Sequence, residues 1–293
     1  MSTPGLHHVT LTSGAPQPAL DFYAGPLGLH LVKRTVNFDD PGVHHLYFGD
    51  AAGSPGSILT LFPFPDARRG QAGIGAASAV ALATPDPRAR LEALASARVE
   101  VTAAERFGAP VWCVSDPDGL SVELVEGPEG LAWATLWLAD PEPTARLLTE
   151  VFGYASGPEI GGANGHRLRL SLPGEGPGRM IELCRSGSGP RARPGAGSIH
   201  HIAFRARDRA HQDALVEALR SRGERVTERK DRQYFESVYF REPGGVLFEI
   251  ATDPPGFAVD EPADALGRTL RLPPWLEESR DRIEARLPPL GAR

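Results

Sequence analysis

The chain has 293 residues, which is enough for one large core or for two domains. Its 41% hydrophobic and 23% charged residues are ordinary for a globular protein, and its net charge of −6 gives no reason to expect nucleic acid. Cys113 and Cys184 match neither zinc nor disulfide spacing. No apolar run approaches the roughly 18 residues of a membrane span. The N-terminus lacks the features of a signal peptide, so we expect a cytoplasmic location without a membrane partner.

A pattern of one strand, one helix and three further strands recurs four times, at a spacing of about 60 to 70 residues. The opening strands of these modules are predicted at 6–12, 78–83, 132–138 and 199–205. The helices are predicted at 16–23, 87–97, 141–152 and 209–222. Modules two and four also close alike, with DPDGLSVELVE and EPGGVLFEIAT. The repeat indicates gene duplication.

This organisation predicts an α+β fold in which four βαβββ modules pair into two domains of curved mixed sheets. Modules one and two would form an N-terminal domain at 1–127, and modules three and four a C-terminal domain at 128–253. Residues 254–293 lie outside the repeat, and two prolines precede a predicted helix at 275–287. We expect this tail to pack as a solvated helix. Alternatively, it covers a sheet edge or the mouth of a pocket.

Strand alternation indicates a metal site. Side chains alternate across a strand, which places His201 and Glu249 on the mixed face of module four. An ionised carboxylate on such a strand needs a positive partner. Module one has His8 at the position of His201, whereas modules two and three have Ala79 and Trp133 there. Modules one and four must therefore meet edge to edge to bring two imidazoles and one carboxylate together.

Two histidines and one carboxylate form the facial triad of non-haem Fe(II) oxygenases, which leaves positions open for substrate and dioxygen. The same donors accept Mn(II) or Zn(II). We expect Glu123 and Glu182, which close modules without these histidines, to be surface or structural residues. His44 and His45 form a third tandem pair, which we expect to pack or to line a pocket.

The modules resemble the vicinal oxygen chelate superfamily, which includes glyoxalase I, fosfomycin and bleomycin resistance proteins and extradiol dioxygenases. The stretches LHHVTL, IHHIAFRARD and DRQYFESVYFREPGGVLFEIATDPPGFAVDE are most similar to the hydroquinone ring-cleaving dioxygenases of that superfamily. The resemblance implies the same metal ligands, His8, His201 and Glu249. It also implies catalytic or orienting roles for five residues around them: His7, Thr10, His200, Arg232 and Tyr239.

The resemblance further implies a non-haem Fe(II)-dependent dioxygenase that cleaves a hydroquinone or catechol-like aromatic ring and incorporates both atoms of O2. Its partners would be a small aromatic substrate and O2, and a homo-oligomer is left open. One alternative is a metal-dependent lyase or isomerase of the glyoxalase type, although the single carboxylate ligand argues against it. Another is a non-catalytic binding or resistance protein of the same fold, against which the complete triad argues.

Overall fold

The computed structural model describes residues 2–162, 165–185 and 189–291. The repeat predicted from the sequence is confirmed, since the same order of elements recurs in four modules of the described chain. Module one consists of β1 Leu6–Ser13, α1 Pro16–Tyr23, β2 His30–Asn37, β3 Asp40–Gly49 and β4 Ile58–Pro63. Module two consists of β5 Ala76–Thr84, α2 Pro87–Ser96, β6 Thr102–Arg106, β7 Ala109–Ser115 and β8 Ser121–Glu126.

The second half of the chain repeats this order. Module three consists of β9 Gly130–Leu138, α3 Glu142–Glu150, β10 Ala155–Gly162, β11 Gly165–Ser171 and β12 Met180–Arg185. Module four consists of β13 Ser198–Ala206, α4 Arg209–Ser221, β14 Lys230–Asp231, β15 Phe235–Arg241 and β16 Leu247–Pro255. The tail has 3-10 turns at Phe257–Val259, Ala263–Ala265 and Pro274–Ser279, followed by α5 Arg280–Glu284.

The strands of the described residues form two eight-stranded mixed sheets. The first sheet has the order β14-β15-β16-β13-β1-β4-β3-β2 and joins modules four and one. The second sheet has the order β10-β11-β12-β9-β5-β8-β7-β6 and joins modules three and two. The predicted α+β fold of curved mixed sheets is confirmed. No helix in the described part of the chain is long and apolar enough to cross a membrane.

Modules one and four meet edge to edge, as the triad requires, because β1 pairs with β13 in antiparallel orientation. In the second sheet, β5 and β9 join modules two and three in the same way. Each sheet therefore combines strands from 1–127 with strands from 128–253. The division of the chain into domains at these boundaries, with 254–293 as a tail, stays a prediction.

The pairing of β1 with β13 contains two β-bulges. The register shifts between Leu6 and His8 on β1, which makes His7 an extra residue. It shifts again where β13 passes His200, which is the extra residue on that strand. A bulge interrupts the strict alternation of side chains and redirects the extra residue. His7 and His200 therefore need not point away from the histidines that follow them.

The helices cover the sheets with apolar side chains at helical spacing. In α4, Leu215, Val216 and Leu219 are buried in the same cluster as Ile202 and Phe204 of β13. Asp208 caps this helix, because its Oδ1 accepts a hydrogen bond of 2.8 Å from the backbone N–H of His211. Burying a leucine or valine side chain contributes about 1.5 to 3 kcal/mol. This packing fixes β13, which carries part of the site described below.

The tail runs along β2, which is an edge strand of the first sheet. Leu270 forms a parallel bridge with Arg34, and the N–H of Arg271 donates to the carbonyl of Arg34 at 2.9 Å. The tail thus covers an edge that would otherwise present unpaired backbone groups. This is the alternative that the sequence left open, and the tail also packs on the sheet with a mostly exposed helix, as expected.

The predicted helix at 275–287 is also shorter than expected. Only Arg280–Glu284 is α-helical, and Pro274–Ser279 forms 3-10 turns. Docking on β2 explains the difference, because Leu276 and Ile283 join a hydrophobic cluster around Val36. Tertiary packing here outweighs the helical period of the sequence.

A buried lysine ties the tail to the sheet. Lys33 of β2 is fully buried, and its ammonium group donates to Asp260 at 2.6 Å and to Glu261. The same ammonium lies 4.9 Å from the ring centre of Tyr234, whose hydroxyl donates to Asp260 at 3.0 Å. One cation therefore holds two tail carboxylates and one residue of module four.

Replacing Lys33 with alanine should lower the free energy of unfolding by about 3 to 5 kcal/mol, because Glu261 would stay buried without its main positive partner. Urea unfolding followed by circular dichroism measures the change. Arg88→Ala is the control: it removes an exposed pair with Glu92 and should cost no more than about 0.5 kcal/mol. A Lys33→Ala loss no larger than the control would contradict this anchoring role.

Candidate functional site

A cavity of about 430 Å³ lies against the first sheet. We call it the ring pocket. Strands from modules one and four and the turn between β2 and β3 supply its walls. Its lining includes His8, Phe38, Asp39, His45, Tyr47, Phe62, His200, His201, Arg232, Phe235, Tyr239, Leu247 and Glu249. Of the eight predicted site residues, six line this cavity, and His7 and Thr10 lie directly behind it.

The three predicted metal ligands converge at the wall of the ring pocket. His8 Nε2 lies 3.2 Å from His201 Nε2 and 3.6 Å from Glu249 Oε2. His201 Nε2 lies 2.8 Å from the same carboxylate oxygen. All three side chains are buried, with at most 4% of each residue exposed. In the described part of the chain, this is the one group of three histidine, cysteine or acidic side chains with ligand atoms within 4.8 Å of one another.

This geometry suits a divalent cation. Two donors at right angles, each about 2.1 Å from a shared cation, lie about 3.0 Å apart. The separations between the imidazole and carboxylate atoms are close to that value. Glu249 Oε2 is also buried without a hydrogen bond of suitable geometry. Such an atom is costly unless a cation or donor meets it, so the residues present fit a metal.

His7 and His200 contact the two candidate ligand histidines that follow them in the chain. His7 Nδ1 lies 2.8 Å from His8 Nδ1, and His200 Nδ1 lies 2.7 Å from His201 Nδ1. Neighbours on a regular strand point to opposite faces, and the two bulges remove that separation. With Nδ1 engaged, each ligand histidine directs Nε2 to the centre, as partners of metal ligands commonly do.

A chain of hydrogen bonds continues from His201 across the sheet. Thr10 Oγ1 lies 2.8 Å from His201 Nε2 and 3.0 Å from Thr60 Oγ1. His45 Nε2 lies 2.8 Å from Thr60 Oγ1, and the Tyr47 hydroxyl lies 2.9 Å from His45 Nδ1. The pocket-lining alternative for His45 is confirmed. Thr60 and Tyr47 were missed, although His45 and Tyr47 stand two apart on one strand and therefore share a face.

Arg232 and Tyr239 line the ring pocket beside Glu249, which is the cross-strand neighbour of Tyr239. Arg232 Nε donates to the Tyr239 hydroxyl at 3.3 Å, and Arg232 Nη2 donates to Asp39 Oδ2 at 2.8 Å. The Tyr239 ring meets the His201 ring edge-on, with 5.8 Å between ring centres. Asp39 belongs to the turn between β2 and β3, so this turn is held over the pocket. No sequence signal singled out Asp39, because its partner is 193 residues away.

The charge states suit metal binding at neutral pH. Burial lowers the pKa of His201, which keeps its imidazole neutral and able to ligate. Burial alone would raise the pKa of Glu249, but the neighbouring imidazoles hold it well below its usual range. Burial and the Glu249 charge raise the pKa of Tyr239, so its hydroxyl stays protonated. Burial acts to lower the pKa of Arg232, yet Tyr239 and Asp39 raise it overall, and its guanidinium stays charged.

The second sheet carries different residues at the matching positions. Its strand register places Ala79 and Trp133 where the first sheet has the candidate ligands His8 and His201. The same register places Glu182 where the first sheet has Glu249. The sequence alignment of the modules at these positions is therefore confirmed.

Arginines meet the carboxylates of the second sheet. Glu182 is fully buried and accepts hydrogen bonds from Arg169, at 2.5 Å to Nη2, and from Arg167. Glu123 is also buried, and Arg106 Nη2 donates to it at 2.8 Å. The sequence left open whether Glu123 and Glu182 are structural or surface residues. The structural alternative is confirmed and the surface alternative is wrong, because both are buried. Guanidinium groups take the place that a cation would have in the first sheet.

The family model described as Glyoxalase/Bleomycin resistance protein/Dioxygenase superfamily matches residues 5–124 and 130–250. The chain belongs to this superfamily. The superfamily resemblance read from the module sequences is thereby confirmed.

Similar members of the superfamily align over nearly the full chain. MhqO of Bacillus subtilis (strain 168), provisionally named a ring-cleaving dioxygenase, is 42% identical, with 99% of this chain and 98% of that protein covered. The chlorohydroquinone/hydroquinone 1,2-dioxygenase of Sphingobium indicum is 32% identical, with 95% and 94% covered.

Solved structures agree with this assignment. A crystal structure from Bacillus subtilis, of a protein provisionally named a dioxygenase, superposes with a TM-score of 0.92 at 41% identity, covering 100% of this chain and 99% of that one. Glyoxalase I of Zea mays superposes with a TM-score of 0.68 at 16% identity, covering 85% and 92%. The second likeness shows the shared fold.

Replacing His201 with alanine should abolish metal uptake, because two side chains cannot replace three converging donors. Elemental analysis after anaerobic loading with Fe(II) and desalting measures bound metal. Glu249→Gln keeps the shape of the side chain, removes its charge and should lose metal as well.

His30→Ala is the matched control, since His30 is exposed at the start of β2 and should leave metal content unchanged. Circular dichroism verifies that each variant is folded. Full metal retention by a folded His201→Ala protein would contradict the assignment of this centre.

Proposed function

We propose that the protein is a metal-dependent dioxygenase that cleaves the ring of a hydroquinone or catechol-like aromatic compound. The observation that carries this proposal is the convergence of His8, His201 and Glu249 at the wall of a cavity large enough for one aromatic ring. Fe(II) is the proposed metal, and the same donors accept Mn(II) or Zn(II). The names of the aligned relatives support this reaction class.

A metal held by these three side chains would supply neighbouring positions for a substrate oxygen and dioxygen, and a path for electron density between them. The protein supplies the surroundings. Aromatic side chains, including Phe62, Phe235 and Tyr47, form walls that can pack against a flat ring. Such walls exclude water and hold the ring against the ligand histidines.

Tyr239 is the proposed proton donor, because its raised pKa keeps the hydroxyl protonated at neutral pH. Arg232, held by Asp39 on one side and by Tyr239 on the other, is placed to orient a substrate oxygen and to stabilise negative charge on it. His200 lines the cavity, and its Nδ1 would accept from His201 Nδ1–H when His201 ligates through Nε2. Neutral His200 then carries its own proton on Nε2 and would donate a hydrogen bond from there to a substrate oxygen. His7 would orient His8 through Nδ1, and Thr10, whose Oγ1 faces His201 Nε2, would lie beside the position of the metal.

The proposed partners are a small aromatic substrate and O2, without nucleic acid or membrane. The cytoplasm remains the predicted compartment, and a homo-oligomer stays open. These statements follow from the composition, charge and motifs of the sequence.

The decisive experiment is oxygen consumption by protein loaded anaerobically with Fe(II). With hydroquinones and catechols as a panel, we expect one O2 to be consumed for each ring opened. Mass spectrometry with isotopically labelled O2 should find both oxygen atoms in the product. Glu249→Gln protein treated identically is the control. Isomerisation of a substrate without oxygen uptake would favour the glyoxalase-type alternative, and metal retention without turnover would favour a binding protein.

Replacing Tyr239 with phenylalanine should lower kcat by about 100-fold, because a positioned general acid contributes on this scale. Metal content should not change, since Tyr239 is not a ligand. Steady-state oxygen uptake and elemental analysis measure the two quantities.

Tyr154→Phe is the matched control, because the buried Tyr154 hydroxyl has no hydrogen-bond partner in the described structure. That variant should keep wild-type kcat. An unchanged kcat in the Tyr239 variant would exclude its hydroxyl from the rate-limiting proton transfer.

A further inference from the structure

A second cavity of about 400 Å³ adjoins the ring pocket. We call it the side pocket. His200 and Leu247 line both cavities, so these two side chains form the boundary that the cavities share. The start of β5, at Ala76–Ser78, and two intermodule linkers supply much of the remaining lining. A substituent on a ring bound in the ring pocket would have to pass the side chains of His200 and Leu247 to reach the side pocket.

The two linkers hold one arginine of the side pocket in place. The N–H of Gln71 donates to the carbonyl of Arg193 at 2.9 Å, and the N–H of Arg193 donates to the carbonyl of Gln71 at 3.0 Å. Arg193 Nε also donates to Gln71 Oε1 at 3.0 Å. One linker joins modules one and two and the other joins modules three and four. Their pairing positions the backbone of Arg193, and the contact with Gln71 orients its exposed guanidinium.

A second arginine lies on module four. Arg241 pairs with Leu247 across β15 and β16, which places it beside the junction of the two cavities. Its Nη1 donates to the carbonyl of Gly245 at 2.8 Å. Each of the two guanidinium groups is thus steadied by a neutral acceptor and keeps other N–H groups for a ligand.

The side pocket is positively charged. Arg193 and Arg241 belong to its lining, and that lining includes no aspartate or glutamate. Among the described residues, no carboxylate forms an ion pair with either guanidinium. Arg167 and Arg169 of the second sheet differ in this respect, because both form ion pairs with Glu182. Two held and uncompensated guanidinium groups in a cavity favour an anionic ligand.

We propose that the side pocket binds a carboxylate carried by the substrate on a short side chain, while the aromatic ring occupies the ring pocket. This inference rests on the proposed function, and it narrows the substrate class to hydroquinones with an anionic substituent. The guanidinium groups of Arg193 and Arg241 present planar N–H donors, which match the two oxygens of a carboxylate.

The test compares three substrates with Fe(II)-loaded protein: unsubstituted hydroquinone, a hydroquinone bearing a propionate side chain, and the methyl ester of that compound. We expect kcat/KM to be about tenfold higher for the acid than for the ester, mostly through KM. The preference should shrink as ionic strength rises, since the arginines are partly exposed to solvent.

The double variant Arg193→Gln and Arg241→Gln should abolish the preference for the acid and leave turnover of unsubstituted hydroquinone unchanged. Arg191→Gln is the matched control, because Arg191 is exposed on the same linker and does not belong to the lining of the side pocket. Arg241→Gln alone should remove part of the preference, and it serves if the double variant is unstable.

The outcomes separate the two proposals. If hydroquinone is turned over but the acid and the ester react equally, or the arginine variants keep the preference for the acid, the side-pocket assignment is wrong. If no hydroquinone is turned over, the proposed function fails. Calorimetric titration of the acid and the ester into wild-type and variant protein then decides the side pocket: tighter binding of the acid, lost in the variants, supports it, and equal binding overturns it.

Discussion

The antiparallel pairing of β1 with β13 is the contact on which the candidate site depends. It joins His8 to His201, which are 193 residues apart in the chain. Side chains on a strand have a period of two, so a slip of one residue would turn these histidines to the other face of the sheet. The two bulges fix the register at both histidine pairs and bring His7 and His200 against the rings they follow. The geometry of the centre is thus set by backbone pairing before any ion binds.

The two sheets compensate the charge of a buried carboxylate in different ways. In the first sheet, two imidazoles converge on Glu249 at a candidate metal site. In the second sheet, Arg167 and Arg169 donate hydrogen bonds to Glu182 and neutralise its charge. A buried carboxylate without a positive partner is strongly disfavoured. Comparison of the sheets therefore separates what the fold requires, a compensated charge, from what the proposed chemistry requires, an accessible site for a metal.

Much of this arrangement can be predicted from the sequence, and what was missed has physical reasons. The repeat and strand alternation are local patterns, and they lead to the four modules and to His8, His201 and Glu249. The orienting residues followed from the family resemblance and not from periodicity. The bulges depend on how two distant strands align, and the contacts of Asp39 with Arg232 and of Thr60 with His45 depend on the folded sheet. The tail was misjudged for the same reason, because docking on β2 replaces a regular helix with tighter turns.

The arginine-compensated carboxylates of the second sheet bear on the stability of the protein without bound metal. Half of the structure balances its interior charge with its own side chains, and its assembly needs no inorganic component. The second sheet can therefore fold without a metal and support the packing of modules one and four. A metal held by His8, His201 and Glu249 could therefore be removed by a chelator and bound again without disturbing the ion pairs of the second sheet. The repeated modules thus differ in how they use a buried carboxylate: modules one and four gather candidate metal ligands around it, and modules two and three pair it with arginine.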